Sequence, residues 1–276
     1  MKIRKLEGLI AAAHTAFNDD GSVNYDTIPA QAAMLIKQKV TGVYISGTTG
    51  EGVHCSTAER KKVFDEWVKA AKGKLYLIAH VGSLSLPDTQ ELAGYAEKIG
   101  MDATSIVPPC FFRPGSIQGL IDYLNEALKY AQKTPFYYYH TSMSGVTFDM
   151  QKFLEAADGK IKNLAGVKFN YPDLYMYQRC IRCLGGKYDI TWGIDEWFAG
   201  AVALVDAESG YIPGYEAIDK SPVKIIVLTL ASDRQQAPYL QLMSYISRAL
   251  RADYGAENLV KCKTPDEMRR FFRRKR

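Results

Sequence analysis

Short apolar stretches, rich in β-branched and aromatic residues, recur along the chain and alternate with longer segments that have apolar residues at helical spacing. Each apolar stretch predicts a buried strand. Successive strands lie roughly 21 to 33 residues apart, the size of one strand–helix unit. The eight predicted strands are 9–14, 42–46, 75–80, 103–108, 136–140, 164–169, 188–192 and 210–214.

The intervals between the strands carry helical patterns with start and stop signals. Ser56 and Glu59 have the spacing of a capping box, and Gly73 is placed to end that helix. Asp88 and Glu91 predict the start of the next helix. The predicted helices are 26–38, 57–72, 88–99, 116–132, 149–157 and 173–184.

Eight strand–helix units in one domain favour an α/β protein with a (β/α)8 TIM barrel. A doubly wound parallel sheet is the alternative, but it usually has a glycine-rich phosphate loop after its first strand, where this chain has His14, Thr15, Ala16 and Phe17. We expect a barrel catalytic domain at 1–215 and a C-terminal helical region at 216–276. In that region, helical patterns occupy 234–253 and the segment after a second capping box at Thr264 and Glu267.

Charge is unevenly distributed along the 276 residues. The formal net charge is +5, but six basic side chains lie in the last eight residues, and the rest of the chain is close to neutral. A solvated basic terminus accounts for this pattern, since a nucleic-acid footprint is expected on a folded face. The sequence therefore predicts no nucleic-acid partner. No apolar run is long enough to span a membrane, so no membrane partner is predicted either.

Five cysteines at scattered positions argue against a disulfide framework. Cys180 and Cys183 form one CxxC pair, but no second pair or clustered histidines accompany it, so no metal site is expected. The apolar stretch near the N-terminus is interrupted by Glu7 and His14 and is too short for a signal peptide. These features predict a reduced, cytoplasmic protein.

Ionisable groups occur where the predicted strands end, and the carboxyl ends of barrel strands are where active sites lie. Lys168 interrupts an apolar strand, so burial should lower its pKa and yield a neutral amine that can form a Schiff base with a carbonyl. Tyr139 ends the preceding strand, where a phenol can relay protons. The alternatives are a lysine that reaches solvent and a tyrosine that only packs.

Two further strand ends carry polar residues. Thr48 and Thr49 lie in the segment GTTGEG, whose backbone N–H groups and hydroxyls suit a small carboxylate, although the same segment is also a plausible turn. Asp195 and Glu196 follow Gly193 after the seventh strand. They either bind the hydroxyl groups of a substrate or simply favour the start of a helix.

In this order, GTTGE, the tyrosine of FYYYH, the lysine of GVKF and the segment GIDE resemble the pyruvate-dependent class I aldolases of the dihydrodipicolinate synthase and N-acetylneuraminate lyase family. The resemblance covers roughly residues 6–215. It implies a Schiff base on Lys168, proton relay by Tyr139 and binding of the pyruvyl carboxylate by Thr48 and Thr49. It also implies substrate hydroxyl contacts by a second group of residues: Gly193, Asp195, Glu196 and Asn170.

Within the family the chain is more similar to the lyase branch, which implies reversible cleavage of N-acetylneuraminate to N-acetylmannosamine and pyruvate. The synthase branch places an arginine soon after the strand-5 tyrosine, where this chain has His140 to Gly145 without one. Another pyruvate-dependent aldolase or a non-catalytic keto-acid binder remains an alternative, because Ser209 to Tyr215 departs from the lyase pattern. The resemblance further implies no cofactor beyond the covalent Schiff base, and a homo-oligomer, either a dimer or a tetramer.

Overall fold

Seven parallel strands form the centre of the described part of the chain. The computed structural model describes residues 3–197, and with them 200–201, 258–259, 261–262, 264, 267 and 270–271. All seven strands coincide with predicted ones, and the predicted eighth strand, 210–214, lies outside the described residues. The strands are β1 (Ile10–Ala12), β2 (Gly42–Ile45), β3 (Tyr76–His80), β4 (Ala103–Ile106), β5 (Phe136–Thr141), β6 (Leu164–Asn170) and β7 (Asp189–Trp192).

The strands are ordered in space as they are in the chain. Each strand pairs in parallel with the next one, from β1 to β7, and no strand is skipped. A doubly wound sheet would reverse its strand order at a switch point. The observed order is the order of a β/α barrel, in which every strand is followed by a helix.

The six predicted helices between the strands are confirmed, with small shifts of their ends. They are α1 (Ile28–Lys37), α2 (Thr57–Ala71), α3 (Leu86–Ile99), α4 (Ile117–Ala127), α5 (Met150–Ala157) and α6 (Leu174–Arg182). The predicted capping box of α2 is present with both of its hydrogen bonds, between Ser56 and Glu59. Gly73 follows this helix with a φ of 77°. The predicted start of α3 at Asp88 was wrong, because Ser85 caps this helix and Pro87 lies in its first turn.

Alternation along the strands divides large side chains between two layers. Tyr137 and Tyr139 of β5 belong to one buried cluster with Tyr44, Ile78, Ala103 and Ala165 of the other strands. The intervening Tyr138 faces the helices, where its ring centroid lies 4.8 Å from that of Phe153 in α5. The central strands β2 to β6 are therefore covered on both faces, as barrel strands are.

By the contacts between residues the chain divides into two units, residues 1–198 and 199–276. The predicted boundary at residue 215 lies outside the described residues. In the second unit Thr264 and Glu267 exchange the two hydrogen bonds of the predicted capping box, each 3.3 Å long. No helix in the described segments is long and apolar enough to cross a membrane.

Candidate active site

Register places the predicted lysine and tyrosine side by side. Lys168 of β6 lies opposite Tyr139 of β5 on one side and Thr191 of β7 on the other. Asn170 and Thr141, which end β6 and β5, form the last pair of the same ladder. Since all these strands are parallel, their carboxyl ends lie at one edge of the sheet. The candidate residues of β5 and β6 therefore share this edge.

The Lys168 amine lies among aromatic rings. Its Nζ is 3.7 Å from the ring centroid of Tyr44 and 4.4 Å from that of Tyr139. Burial lowers the pKa of Lys168 to about 8, and the Asp195 carboxylate opposes this shift. With that pKa, roughly one amine in ten is neutral at pH 7, compared with fewer than one in a thousand for an ordinary lysine. This environment supplies the neutral amine that a nucleophile requires.

Tyr139 connects this lysine to the loop after β2. Its side chain is buried, and its hydroxyl lies 3.4 Å from Oγ1 of Thr48. Thr48 itself is exposed. A phenol whose ring lies beside the amine and whose hydroxyl contacts Thr48 is placed to pass a proton between groups bound at this edge.

The loop from Ser46 to Gly52 is fixed by its own backbone. Ser46 has a φ of 54°, and the N–H of Gly52 donates to the carbonyl of Gly47 over 3.1 Å. A Cβ at position 52 would lie 1.8 Å from the Ser46 carbonyl oxygen, so only glycine fits there. From the segment after β1, the Thr15 hydroxyl donates to the Gly50 carbonyl over 2.6 Å. Thr48 and Thr49 thus project as exposed hydroxyls from a constrained turn.

A buried histidine and arginine support this loop, and the sequence reasoning missed both. Val107 N–H donates to Nε2 of His80 over 3.4 Å, so Nδ1 carries the proton that it shares with the Ser46 carbonyl over 3.1 Å. Burial and the nearby positive charges of Arg60 and Lys168 hold the pKa of His80 well below its ordinary value. His80 is therefore neutral and holds the Ser46 carbonyl in place through this hydrogen bond.

Arg60 secures the strand that carries this histidine. Arg60 is 2% exposed, and its guanidinium donates to the carbonyls of His80 and Gly82 over 2.5 and 2.9 Å. Burial lowers the pKa of Arg60 to about 10, which leaves it charged at neutral pH. The sequence signal for this pair was weak, because an arginine in an amphipathic helix usually faces water.

The residues predicted to contact substrate hydroxyls lie after β6 and β7. Gly193 follows β7, and its N–H donates to the carbonyl of Phe169 over 2.8 Å. A Cβ at Gly193 would lie 2.9 Å from Oδ1 of Asn170, so these two residues are close neighbours. Asp195 and Glu196 begin a short 3-10 helix and are exposed.

The structure thus joins Thr48, Tyr139 and Lys168 in one cluster and places Asn170 against Gly193. Asp195 acts on this cluster through its charge, whereas Thr49 and Glu196 are exposed side chains outside these contacts. Ser209 to Tyr215, where the sequence departs from the lyase pattern, lie outside the described residues. Within the described ranges, no three His, Cys, Asp or Glu side chains form a group that could hold a metal ion.

These features define a β/α-barrel protein with a lysine amine of lowered pKa at the carboxyl edge of its sheet. Residues 5–237 match the Dihydrodipicolinate synthetase family. The chain belongs to this family, and the predicted (β/α)8 class is confirmed.

Within this family, the chain is similar to several proteins that are named N-acetylneuraminate lyases. N-acetylneuraminate lyase A of Xenopus laevis is 38% identical over 204 residues, which are 73% of this chain and 67% of that protein. Among solved structures, the N-acetylneuraminate lyase (sialic acid aldolase) of Aliivibrio salmonicida is 48% identical with a TM-score of 0.72, covering 73% of this chain and 67% of that one. The N-acetylneuraminate lyase of Proteus mirabilis is 37% identical with a TM-score of 0.70, covering 99% of both chains.

Proposed function

We propose that the protein is a Schiff-base aldolase, a carbon–carbon lyase that reversibly cleaves N-acetylneuraminate to N-acetylmannosamine and pyruvate. The observation that carries this proposal is the Lys168 amine, with its pKa lowered to about 8, beside a buried tyrosine that reaches Thr48. The choice of N-acetylneuraminate as substrate is supported by the similarity to proteins that are named N-acetylneuraminate lyases. The proposed reaction uses no dissociable cofactor and no metal, because the lysine itself forms the covalent intermediate.

The first half of the reaction forms a covalent adduct. Neutral Lys168 attacks the C2 ketone of the open-chain sugar acid, and a proton moves from nitrogen to the new oxygen. Protonation of the carbinolamine hydroxyl and loss of water then leave an iminium, which carries one positive charge. We assign these proton transfers to Tyr139, whose ring centroid lies 4.4 Å from the amine. Thr48 and Thr49 hold the substrate carboxylate, which fixes the ketone near the amine.

The second half breaks the carbon–carbon bond. The substrate carboxylate or Tyr139 takes the proton of the C4 hydroxyl, and the C3–C4 bond electrons form a C2–C3 double bond. The π electrons of the iminium move onto nitrogen, which yields a neutral enamine and free N-acetylmannosamine. Protonation at C3 and addition of water then release pyruvate and the lysine. In this scheme Asp195, Glu196, Gly193 and Asn170 contact the hydroxyl chain of the sugar.

Two finer assignments belong to the same proposal. We place the protein in the cytoplasm, a view supported by its five cysteines, all of which are free thiols. We also propose a homo-oligomer, a dimer or a tetramer, which rests on the resemblance to the family. Size-exclusion chromatography with light scattering measures the second assignment directly, and a monomer at micromolar concentration would contradict it.

Mass spectrometry after borohydride reduction tests the central proposal. We expect incubation with N-acetylneuraminate to give a reduced pyruvyl adduct on the peptide that contains Lys168. Lys168→Ala should lose the adduct and all turnover. Lys162→Ala, which removes an exposed lysine just before β6, should retain both. An adduct with free pyruvate but none with N-acetylneuraminate would support the aldolase assignment and would contradict N-acetylneuraminate as the substrate. The absence of both adducts would favour a non-catalytic binder.

A further inference from the structure

A second tyrosine, Tyr44 of β2, lies closer to the candidate nucleophile than Tyr139 does. The Nζ of Lys168 is 3.7 Å from the centroid of the Tyr44 ring, against 4.4 Å for Tyr139. An ammonium within about 6 Å of an aromatic ring centroid, over the ring face, is attracted by the ring quadrupole. Neither the strand pattern nor the family resemblance singled out this residue.

The Tyr44 ring is held in place from several sides. Its hydroxyl donates to Oγ of Ser105 over 2.9 Å, and Ser105 donates in turn to the carbonyl of Tyr137 over 2.8 Å. Gly47 lies against the ring edge, where a Cβ would come within 2.5 Å of the Tyr44 Cε1 atom. The ring centroid of His80 lies 6.0 Å away. Tyr44 is 4% exposed, so the ring presents a fixed, dry surface to the amine.

Tyr44 is not suited to proton relay. Burial raises the pKa of Tyr44 well above its ordinary value, so the phenol keeps its proton. Its hydroxyl is occupied by Ser105, whereas the hydroxyl of Tyr139 faces the exposed Thr48. The two tyrosines therefore differ in the part that they offer to the site. Tyr139 offers an oxygen as well as its ring, whereas Tyr44 offers only the face of its ring.

We infer that Tyr44 is a further active-site residue, whose ring face stabilises the positively charged forms of the Lys168 nitrogen. These forms are the ammonium of the free protein and the protonated iminium of the adduct. Arg60 and His80 cannot take this role, because Arg60 is a cation and His80 is neutral. Asp195 is the carboxylate that acts on the same amine, and it is exposed. The ring therefore offsets part of the desolvation that the amine suffers on its buried side.

The inferred stabilisation of the iminium by Tyr44 rests on the proposed function. The inferred stabilisation of the ammonium does not, because it concerns the free protein. During cleavage, the C3–C4 bond electrons move into the C2–C3 bond and the iminium electrons move onto nitrogen. The nitrogen is cationic before this step and neutral after it. The Tyr44 ring should therefore favour formation of the cationic adduct from the neutral amine and should not stabilise the enamine.

Two substitutions separate the ring face from the hydroxyl. Tyr44→Phe keeps an aromatic face and loses the bond to Ser105, whereas Tyr44→Leu keeps an apolar side chain and loses the face. We expect Tyr44→Leu to lower the pKa of Lys168 by about half a unit to one unit, and Tyr44→Phe to change it little. The amount of pyruvate iminium trapped at about pH 9.5, where the free amine is neutral and the adduct nitrogen is cationic, should fall about three- to tenfold in the leucine variant only.

The pKa is measured on the free protein by competitive acetylation of Lys168 against pH, read on the peptide by mass spectrometry. This measurement requires neither pyruvate nor sugar, so a failure of the proposed function leaves it intact. An unchanged or raised pKa in Tyr44→Leu would overturn the inference. An equal decrease in Tyr44→Phe would also overturn it, because the hydroxyl would then be responsible.

A second series keeps the inference testable if Tyr44→Leu does not fold. Phenylalanines with one, two or three ring fluorines, incorporated at position 44 alone, keep the ring shape while they withdraw electrons from its face. The pKa of Lys168, and the logarithm of the fraction trapped at about pH 9.5, should fall steadily with each fluorine. A flat response in a folded series would show that Tyr44 only fills space.

Discussion

Lys168 and Tyr139 lie directly opposite each other on the neighbouring parallel strands β6 and β5, and the lysine Nζ is 4.4 Å from the tyrosine ring centroid. This relationship follows from strand register, so it does not depend on the conformation of a loop. A strand pair places two side chains on the same face with little freedom, which suits groups that must exchange a proton. The chemistry of the site is therefore built on the rigid part of the fold.

The lowered pKa of Lys168 predicts the pH dependence of the reaction. Desolvation lowers this pKa from 10.5 to about 8, and only the neutral amine attacks the ketone. We therefore expect kcat/KM for N-acetylneuraminate to rise about tenfold per pH unit below pH 8 and to level off above it. Initial rates from pH 5.5 to 9.5 measure this profile. A rising limb centred near the ordinary lysine pKa would contradict the buried-amine assignment.

Replacement of Asp195 should change two measurable quantities. Its carboxylate raises the pKa of Lys168, so Asp195→Asn should move the rising limb of the profile toward lower pH. If the carboxylate also binds substrate hydroxyls, KM for the sugar should rise about tenfold or more. Glu196→Gln is the matched control for the first effect, because no action of Glu196 on the lysine pKa is observed. A limb that stays in place in Asp195→Asn would show that the carboxylate does not act on the amine.

The two threonines of the loop should behave differently. Thr48 contacts the Tyr139 hydroxyl at 3.4 Å, whereas Thr49 is exposed outside that contact. Thr48→Val should therefore lower kcat as well as pyruvate affinity, whereas Thr49→Val should weaken affinity with a smaller effect on kcat. Steady-state kinetics in the cleavage direction, with pyruvate as a product inhibitor, separate the two quantities. Equal losses of kcat would mean that the Thr48–Tyr139 contact has no part in proton transfer.

Regular strands made much of this site predictable from the sequence. Lys168 could be predicted as a functional residue because it stands alone in an apolar strand, where burial of a cation is costly. Tyr139 could be predicted as its neighbour because the two residues lie on consecutive strands. Seven strand positions and six helices followed from periodicity in the same way. The segments around Tyr44, His80 and Arg60 were less informative, because a tyrosine or histidine in a strand is compatible with ordinary packing. Their roles depend on contacts between distant segments, which periodicity does not encode.

Lys168 should also reduce the stability of the folded protein. Its folded-state pKa lies below its ordinary value, so folding disfavours the ammonium at any pH below about 8, and this cost disappears as the pH rises toward 10.5. Lys168→Met should therefore raise the free energy of unfolding by about 1 to 3 kcal/mol at pH 7, since one pKa unit corresponds to about 1.4 kcal/mol. Urea unfolding of both proteins at pH 7 and pH 10 measures the difference. The gain should shrink at the higher pH, and a gain independent of pH would indicate better packing instead.

Substitution of Gly52 tests whether the loop that carries Thr48 and Thr49 must keep its present conformation. A Cβ at this position would lie 1.8 Å from the Ser46 carbonyl oxygen, and Ser46 is itself held by His80. Because this neighbour is backbone, Gly52→Ala must displace the loop, and we expect a loss of about 1 to 3 kcal/mol in unfolding free energy.

Pyruvate trapping on Lys168 should fall in Gly52→Ala by a larger factor than the fraction of unfolded protein explains, because the displaced threonines no longer hold the carboxylate. Gly115→Ala is the matched control, since its Cβ would meet no atom within 4 Å. Thermal melts and trapping assays on the same preparations compare the two variants. Normal trapping in a folded Gly52→Ala protein would mean that the loop binds the keto acid without a fixed geometry, and the carboxylate role of Thr48 and Thr49 would have to be abandoned.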